Sequence, residues 1–547
     1  MFENRASIAI IDDGVNEKLY DIGTLKHNIE ITPQLKVLER REYDRYLPSH
    51  ATNCAAIIRK YSPHASISSV KILNKARRGL CEQLTRSIEW CVDTGINIVN
   101  LSLGSIHQKD SSKIQDTVNK AAKEGLVIVA ACSNNNIITY PSVFSNVIGV
   151  KCDIMNRLNE GEYVYNYYPN DGINITACSR HLLYKFYGGS SFTRICNSYA
   201  APFITARVYD IVNKFPGIIL EEIKQKLIEG AVNKSIGVYR SYLNKGIDWV
   251  ARAISFRLSN KEGNFLKLKY CFEVDNTVVF ECNCLCDALE YIKYYFNDNS
   301  HILKEIDTVI IDANNLIPKH PVCSSEKILD EITKLGKNVV YLDDGDIGRD
   351  LNFSTSDSRI KIWHPSIYNY LDIPIYKEID MPVLYVYDFS GIHLIDLVSK
   401  LQDCFRTNGH RIISVLDTCL GVVCGLEYSP SFGEPIYQEF DPGSLKTICG
   451  LYNPDFLIFG INAINSSLNY MSKLNDFHTA DTNIIITDTH SNQVEDFISL
   501  RKGTKDIILM PLTCTSMGTD STVVFDLSSD NCINDLYNYI IRLYEDW

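Results

Sequence analysis

The stretch Ile8-Ala9-Ile10-Ile11-Asp12-Asp13-Gly14 decides how the first half of the chain is read. Four apolar residues in succession, three of them β-branched, are too short a run for a helix and suit a strand buried on both faces. The run stops at two acids and a glycine, residues that favour a tight turn. The segment therefore predicts a core strand that hands a carboxylate to a loop. Taken alone, Asp12-Asp13-Gly14 also reads as an ordinary turn.

Working outward, the same texture continues to roughly Gly246. Strands are expected over 68–73, 96–103, 127–131 and 147–150, and helices over 87–93, 114–123 and 198–212. Pro202 is compatible with the last helix only in an early turn. Short β-branched runs alternating with amphipathic segments predict an α/β domain, a parallel sheet wrapped by helices.

The chain has 547 residues, 45% hydrophobic and 22% charged, the composition of a soluble globular protein. That length allows roughly two to four domains. A net charge of −12 argues against nucleic acid as a partner, because binding phosphates needs a basic surface. No apolar run is long enough to cross a membrane. Residues 1–7 lead straight into the first strand without the pattern of an export signal, and the 18 cysteines are scattered through predicted strands and helices. Free thiols in a reducing, cytoplasmic setting are the expectation. No metal and no cofactor is expected.

Three local motifs occur in the order Asp, His, Ser. Ile10-Ile11-Asp12-Asp13-Gly14 ends a strand, Ser49-His50-Ala51-Thr52-Asn53-Cys54-Ala55-Ala56 opens an apolar helix with a histidine, and Asn197-Ser198-Tyr199-Ala200-Ala201-Pro202 opens another with a serine. Singly they read as a turn, a helix-capping or surface histidine, and an N-cap. In this order and context they resemble the subtilase family, whose members carry a strand-end aspartate, a His-Gly-Thr helix and a Gly-Thr-Ser-Met-Ala-x-Pro helix. Between them, Ser87-Ile88-Glu89-Trp90-Cys91 and Ile98-Val99-Asn100-Leu101-Ser102-Leu103-Gly104 are similar to the family's helix and substrate-binding strand. Val129-Ala130-Ala131-Cys132-Ser133-Asn134 is similar to the segment bearing its oxyanion-hole asparagine. Tyr140-Pro141-Ser142 and Ala177-Cys178-Ser179 fall where the family has Tyr-Pro-Ala and Ala-Pro-Gly.

The resemblance implies a subtilisin-like three-layer domain with Asp12, His50 and Ser198 as a catalytic triad. In that reading His50 takes the proton of Ser198, Asp12 holds the imidazole in one tautomer, and Asn134 donates to the oxyanion. Ser102, Leu103 and Gly104 pair their backbone with an extended peptide, while Ala131, Cys132 and Ser133 belong to the substrate pocket. The chain departs from the family at Cys196 and Asn197, which replace its Gly and Thr before the serine, at Ala51 after the histidine, and at Ser133 before the asparagine. Asn197 keeps an amide able to donate to the oxyanion. The expectation is an endopeptidase with a restricted peptide substrate. The alternative is a peptide-binding pseudopeptidase or scaffold acting through its C-terminal half.

The peptidase-like domain is taken as 1–246, a linker as 247–265, and 266–547 as a Rossmann-like α/β region of one or two subdomains. Paired strands are expected over 265–282 around Asp275-Asn276. Further strands are expected over 309–311, 339–342, 383–387, 412–416, 456–459, 484–486 and 507–510, with helices such as 325–335 and 395–406. Val386-Tyr387-Asp388-Phe389-Ser390-Gly391-Ile392-His393 lies between a strand and a helix, where a phosphate-binding loop would sit. Val386 replaces the required glycine and Ile392-His393 the Lys-Ser/Thr pair, so it reads as a plain strand–turn–helix. Cys282, Cys284 and Cys286 read as a strand whose thiols face a core, and Asp343-Asp344-Gly345-Asp346 as a turn. This half is open to substrate recognition, homo-oligomer formation or docking of a partner. The whole arrangement resembles peptidases of bacterial peptide-maturation systems, which implies a precursor-peptide substrate and removal of its leader.

Overall fold

The computed structural model describes residues 5–167, 169–234, 246–259, 268–282, 284–316, 325–345, 357, 359–369, 379–429, 443–464, 471, 480–488, 492–499, 505–510 and 522–544. The chain divides into two compact units, one built on Met1–Ala251 and one on the chain from Arg252 onward.

The first unit contains β1 (Ser7–Asp12), β2 (Asn28–Ile31), β3 (Val37–Glu39), β4 (Ser66–Lys71), β5 (Ile98–Leu101), β6 (Val127–Ala131), β7 (Ile148–Cys152), β8 (Tyr163–Tyr165) and β9 (Ile175–Ala177). They form one sheet in the order β3-β2-β4-β1-β5-β6-β7-β9-β8, parallel except at its edge strands β3 and β8. A hairpin of β10 (Leu182–Tyr184) and β11 (Ser190–Phe192) follows. The helices are α1 (His50–Tyr61), α2 (Cys81–Asp93), α3 (Gln108–Lys123), α4 (Asn197–Lys214) and α5 (Leu220–Gly230).

Every residue of β1 is buried, as a strand covered on both faces requires. Ile8 and Ile10 join Val127, Val129, Ile148 and Val150 in one apolar core with residues of α1, α4 and α5. The alternate residues Ala9, Ile11, Val99, Leu101, Ile128 and Ala130 are equally buried on the opposite face, where α2 and α3 pack on each other. The result is the three-layer α/β sandwich expected. Helices α2 and α3 begin six residues earlier than periodicity suggests, because their first turns are largely polar.

The second unit carries two sheets. β12 (Arg252–Ser259), β13 (Glu273–Glu281), β14 (Thr308–Asn315), β15 (Asn338–Leu342) and β16 (Ile362–Trp363) pair in the order β13-β12-β14-β15-β16. β17 (Val383–Asp388), β18 (Ile412–Leu416), β19 (Glu427–Tyr428), β20 (Phe456–Asn462), β21 (Thr482–Ile486), β22 (Lys505–Met510) and β23 (Thr522–Asp526) pair in the order β19-β18-β20-β17-β21-β22-β23. All strand pairs in both sheets are parallel. Helices of this unit include α6 (Leu285–Asp298), α7 (Ile302–Glu305), α8 (Ser325–Lys334) and α9 (Leu394–Thr407).

Three expectations need correction. The stretch 247–265 is no linker, since it holds β12, paired on both sides and buried from Ala253 to Ser259. Its polar Arg257 interrupts the apolar run, and the buried Asp312 carboxylate, 3.0 Å away, is what lets it lie inside. Residues 260–265 lie outside the described residues. The strand pair around Asp275-Asn276 is, among the described residues, a single strand, β13, in which Asp275 Oδ1 accepts from Arg252 Nε and Asn276 Nδ2 donates to the Tyr295 hydroxyl. The cysteine triplet is not a strand either: Cys282 follows β13, Cys284 is the N-cap of α6 and Cys286 lies inside that helix. Asp343 and Asp344 do form a turn, with Gly345 N donating to Asp343 Oδ1 at 2.9 Å, while Asp346 lies outside the described residues.

All described cysteines are free thiols, and among the described residues no helix is long and apolar enough to cross a membrane.

Candidate active site

β1 ends by burying the Asp12 carboxylate beneath the start of α1. Asp12 Oδ2 lies 2.7 Å from His50 Nδ1, and Oδ1 accepts from Asp13 N at 2.8 Å. The imidazole keeps 15% of its side-chain surface exposed against 1% for Asp12, so part of the ring stays reachable while the carboxylate does not. Burial works against a charged imidazole here. The hydrogen bond and negative charge of Asp12, with Asp13 adding to them and Arg77 opposing, raise the His50 pKa above its ordinary value all the same. Burial also raises the Asp12 carboxyl, against the pull of His50.

Why the histidine sits there follows from the capping of α1. Ser49 is the N-cap, its Oγ accepting from Thr52 N and donating to Gly14 O at 2.7 Å. Asp13, which the sequence reading left as a turn residue, accepts from His50 N and Ala51 N at 3.0 and 2.9 Å. One acid of the pair therefore fixes the helix start and the other meets the imidazole. Gly14 adopts φ +97 and lies where a Cβ would strike the Arg40 guanidinium, which is why a glycine follows the acids.

Ser198 lies in the first turn of α4, and Tyr199 beside it stacks on the His50 ring at 5.3 Å between centroids. Pro202 has no N–H for the carbonyl of Ser198 four residues back. That carbonyl accepts instead from Ser102 Oγ at 2.9 Å and from Cys54 Sγ at 3.7 Å, which ties the serine to the segment beyond β5 and to α1. The Ser198 hydroxyl donates to Ser102 O at 3.4 Å rather than to the imidazole. Such bonds are often loose without substrate and tighten in the complex.

Asn134 Oδ1 accepts from Asn197 N at 2.9 Å, and among the described residues no other hydrogen bond holds its side chain, which leaves its NH2 to donate beside the start of α4. Asn197 does not take the role of oxyanion donor. Its side chain is buried, Oδ1 accepting from Cys152 N at 2.7 Å and Nδ2 donating to Ser133 O at 2.8 Å and Cys132 O at 3.3 Å. It straps the 132–134 segment to the helix that carries Ser198. An amide can donate to a ligand or to its own backbone, and composition alone does not distinguish the two.

Ala131 ends β6 buried, and Cys132 N and Ser133 N are held by Val150 O and Thr139 Oγ1 at 3.0 Å each. Ser102, Leu103 and Gly104 continue past β5. Gly104 approaches Thr139 and Tyr140 too closely for any Cβ, next to the reciprocal Ser105–Tyr140 backbone pair at 2.9 and 2.8 Å. Two supporting residues escaped the sequence reading. Asn100 is fully buried on β5 and binds both Ser102 Oγ and Thr205 Oγ1, at 3.3 and 2.9 Å. His181 bridges Tyr61 OH and Tyr199 O at 2.8 and 3.0 Å, and burial pushes its pKa down to about 4. For Asn100, a polar residue inside the apolar strand β5 was the available signal, while His181 lies just ahead of β10 and no local pattern marks it.

Asp12, His50 and Cys54 bring one ligand atom each within 4.8 Å of the others, the one such group among the described residues. Two of these atoms already bond to each other, and burial pushes the Cys54 thiol well up, so it is not a ready thiolate.

Residues 3–247 match the model of the subtilase family. The chain is 25% identical over 186 residues to subtilisin DY of Bacillus licheniformis, covering 32% of this chain and 65% of the relative. It is 32% identical over 138 residues to the minor extracellular protease Epr of Bacillus subtilis (strain 168), covering 24% of this chain and 21% of that one. The chain thus spans less than two thirds of the length of either relative. Among solved structures, a lanthipeptide protease aligns at 16% identity and TM-score 0.35, over 43% of this chain and 81% of that one. The epidermin leader peptide processing serine protease of Staphylococcus aureus aligns at 17% identity and TM-score 0.32, over 42% and 69%.

Proposed function

We propose, from the match of residues 3–247 to the subtilase family model, that the protein is a serine endopeptidase acting through Asp12, His50 and Ser198. Ser198 Oγ attacks the scissile carbonyl carbon while His50 Nε2 takes its proton. The oxyanion accepts from Asn134 Nδ2 and from Ser198 N at the positive end of α4. When the C–N bond breaks, the imidazolium returns its proton to the leaving amine and the acyl group stays on Ser198. Water, deprotonated by His50, then attacks the acyl carbon, the ester bond to Ser198 Oγ breaks as the imidazolium returns its proton to that oxygen, and the new carboxyl end leaves. Asp12 keeps Nδ1–H directed at itself, so Nε2 is the basic nitrogen.

The observation that carries this reading is the 2.7 Å contact between buried Asp12 and a partly exposed His50, next to a serine on a helix start without a side-chain cap. Ser102–Gly104 is the segment for backbone pairing with the peptide, and Ala131, Cys132 and Ser133 flank the residue before the cut. Ser133 and Cys196 put side chains where the family pattern has glycine, which favours a restricted substrate. The finer reading is a precursor peptide that loses its leader in a reducing, cytoplasmic compartment, supported by the free thiols. Incubating candidate precursor peptides with wild type and Ser198→Ala, followed by mass spectrometry, tests it. A single cut made only by wild type is expected; intact peptides with well-folded wild type would contradict it.

A further inference from the structure

The turn Asn74–Arg78 adjoins the site, and the chemistry just described leaves it unused. β4 lies beside β1, and the chain leaving β4 clings to the end of β1, with Ile72 N and Leu73 N donating to Asp12 O at 2.9 and 3.2 Å. The next residues close on themselves. Asn74 N donates to Arg78 O at 3.0 Å and Arg77 N to Asn74 O at 2.9 Å. Asn74 Oδ1 accepts from Ala76 N and Arg78 N at 2.9 and 3.1 Å. This lacing holds Arg77 at φ +57, a conformation that a bulky side chain adopts only when its surroundings impose it.

The turn therefore mounts three exposed cations, Lys75, Arg77 and Arg78, on a stiff support. None has a carboxylate partner among the described residues. In a chain of net charge −12 these are cations set against the overall balance. The charge of Arg77 reaches the chemistry, opposing protonation of His50 where Asp12 and Asp13 favour it. β1 stands between β4 and β5. The segments leaving those two strands, 74–78 and 102–104, therefore rise on either side of Asp12. In the peptidase reading, in which Ser102–Gly104 pairs with the residues before the cut, that part of the peptide runs past the basic turn.

Resting on the peptidase reading, we propose that Lys75, Arg77 and Arg78 form a specificity element selecting peptides with Asp or Glu shortly before the scissile bond. Opposite charges attract the peptide from solution and favour its register in the cleft.

The test exposes a defined mixture of synthetic peptides to the full chain and reads every new end by mass spectrometry. Asp and Glu are expected to be enriched in the residues before the cut. Changing one such Glu to Gln in the best peptide should lower kcat/KM about two- to fivefold, less in high salt. Lys75→Ala/Arg77→Ala/Arg78→Ala should erase the preference, and Arg77→Glu/Arg78→Glu should shift it toward Lys and Arg, with melting temperatures near wild type. Wild-type cuts without charge preference, or a preference that survives the triple variant, would overturn the proposal. If nothing is cut, the peptidase reading itself fails. Fluorescence anisotropy with Ser198→Ala then decides the role of the turn. Salt-sensitive preference for a Glu peptide over its Gln twin supports it, and equal binding overturns it.

Discussion

Helices α4 and α9 both open with backbone N–H groups that favour an anion, and the protein uses the two openings in opposite ways. At α9 the chain supplies its own anion. The fully buried Asp388 at the end of β17 accepts through Oδ1 from Ser390 N, Ser390 Oγ and Gly391 N at 2.9, 2.5 and 3.0 Å. Its Oδ2 accepts from His393 N and Leu394 N at 2.9 and 2.8 Å. At α4 the N-cap is Cys196, which makes no capping hydrogen bond and whose thiol burial keeps protonated. Asn134 stands beside it with its NH2 left to donate. A helix start is an anion site only where the sequence leaves it unfilled. The segment around Asp388 lacks more than the lysine of a phosphate loop, because a carboxylate already sits where the phosphate would.

This contrast breaks or holds under substitution. Asn134→Ala removes a donor from the open start, and kcat for a cleaved peptide should fall roughly 100- to 1,000-fold with KM little changed, by steady-state kinetics. A loss seen only in KM would mean that Asn134 binds the ground state. Asp388→Ala empties the filled start and leaves several buried N–H groups unpaired. Unfolding of the second unit should become easier by about 2–3 kcal/mol in urea melts of the full chain, while the peptide-cleavage rate stays put. An unchanged melt would show that the carboxylate is no cap. Cys196→Asp makes α4 resemble α9: activity should drop as the new carboxylate competes with the oxyanion, yet stability should rise by about 1 kcal/mol from the added cap. Activity retained alongside that gain would dissolve the comparison.

The parts of the molecule legible in the sequence are those where one force dominates. β1 was readable because a strand buried on both faces must be apolar throughout, and seven strands of the second unit stood out for the same reason. β12 was hidden by Arg257, whose partner Asp312 lies 55 residues away in sequence, so no local pattern reveals the pair. In the candidate site, Asp12, His50 and Ser198 were legible as motifs because they end β1 or open α1 and α4, and Asn134 because it follows closely on the end of β6. The roles of Asp13, Asn197 and Asn100 were not. Each is a polar residue whose partner is fixed by tertiary packing alone: two amides of α1, the backbone of Cys152 and Ser133, and Thr205 on α4.

In the proposed mechanism one imidazole, His50, charged more readily than usual because of its carboxylate partner, governs the reactivity of one hydroxyl, that of Ser198. The direct measurement is the rate at which a fluorophosphonate labels the protein as a function of pH, with the modified residue mapped. The His50 pKa is raised, so the imidazole stays protonated and unable to accept a proton until the pH climbs past that value. The account predicts labelling at Ser198 alone, with an acid limb centred above the ordinary histidine value of about 6.5, and a downward shift of that limb in Asp12→Asn. Label at another residue, no label on the folded protein, or a rate indifferent to pH across that range would contradict it.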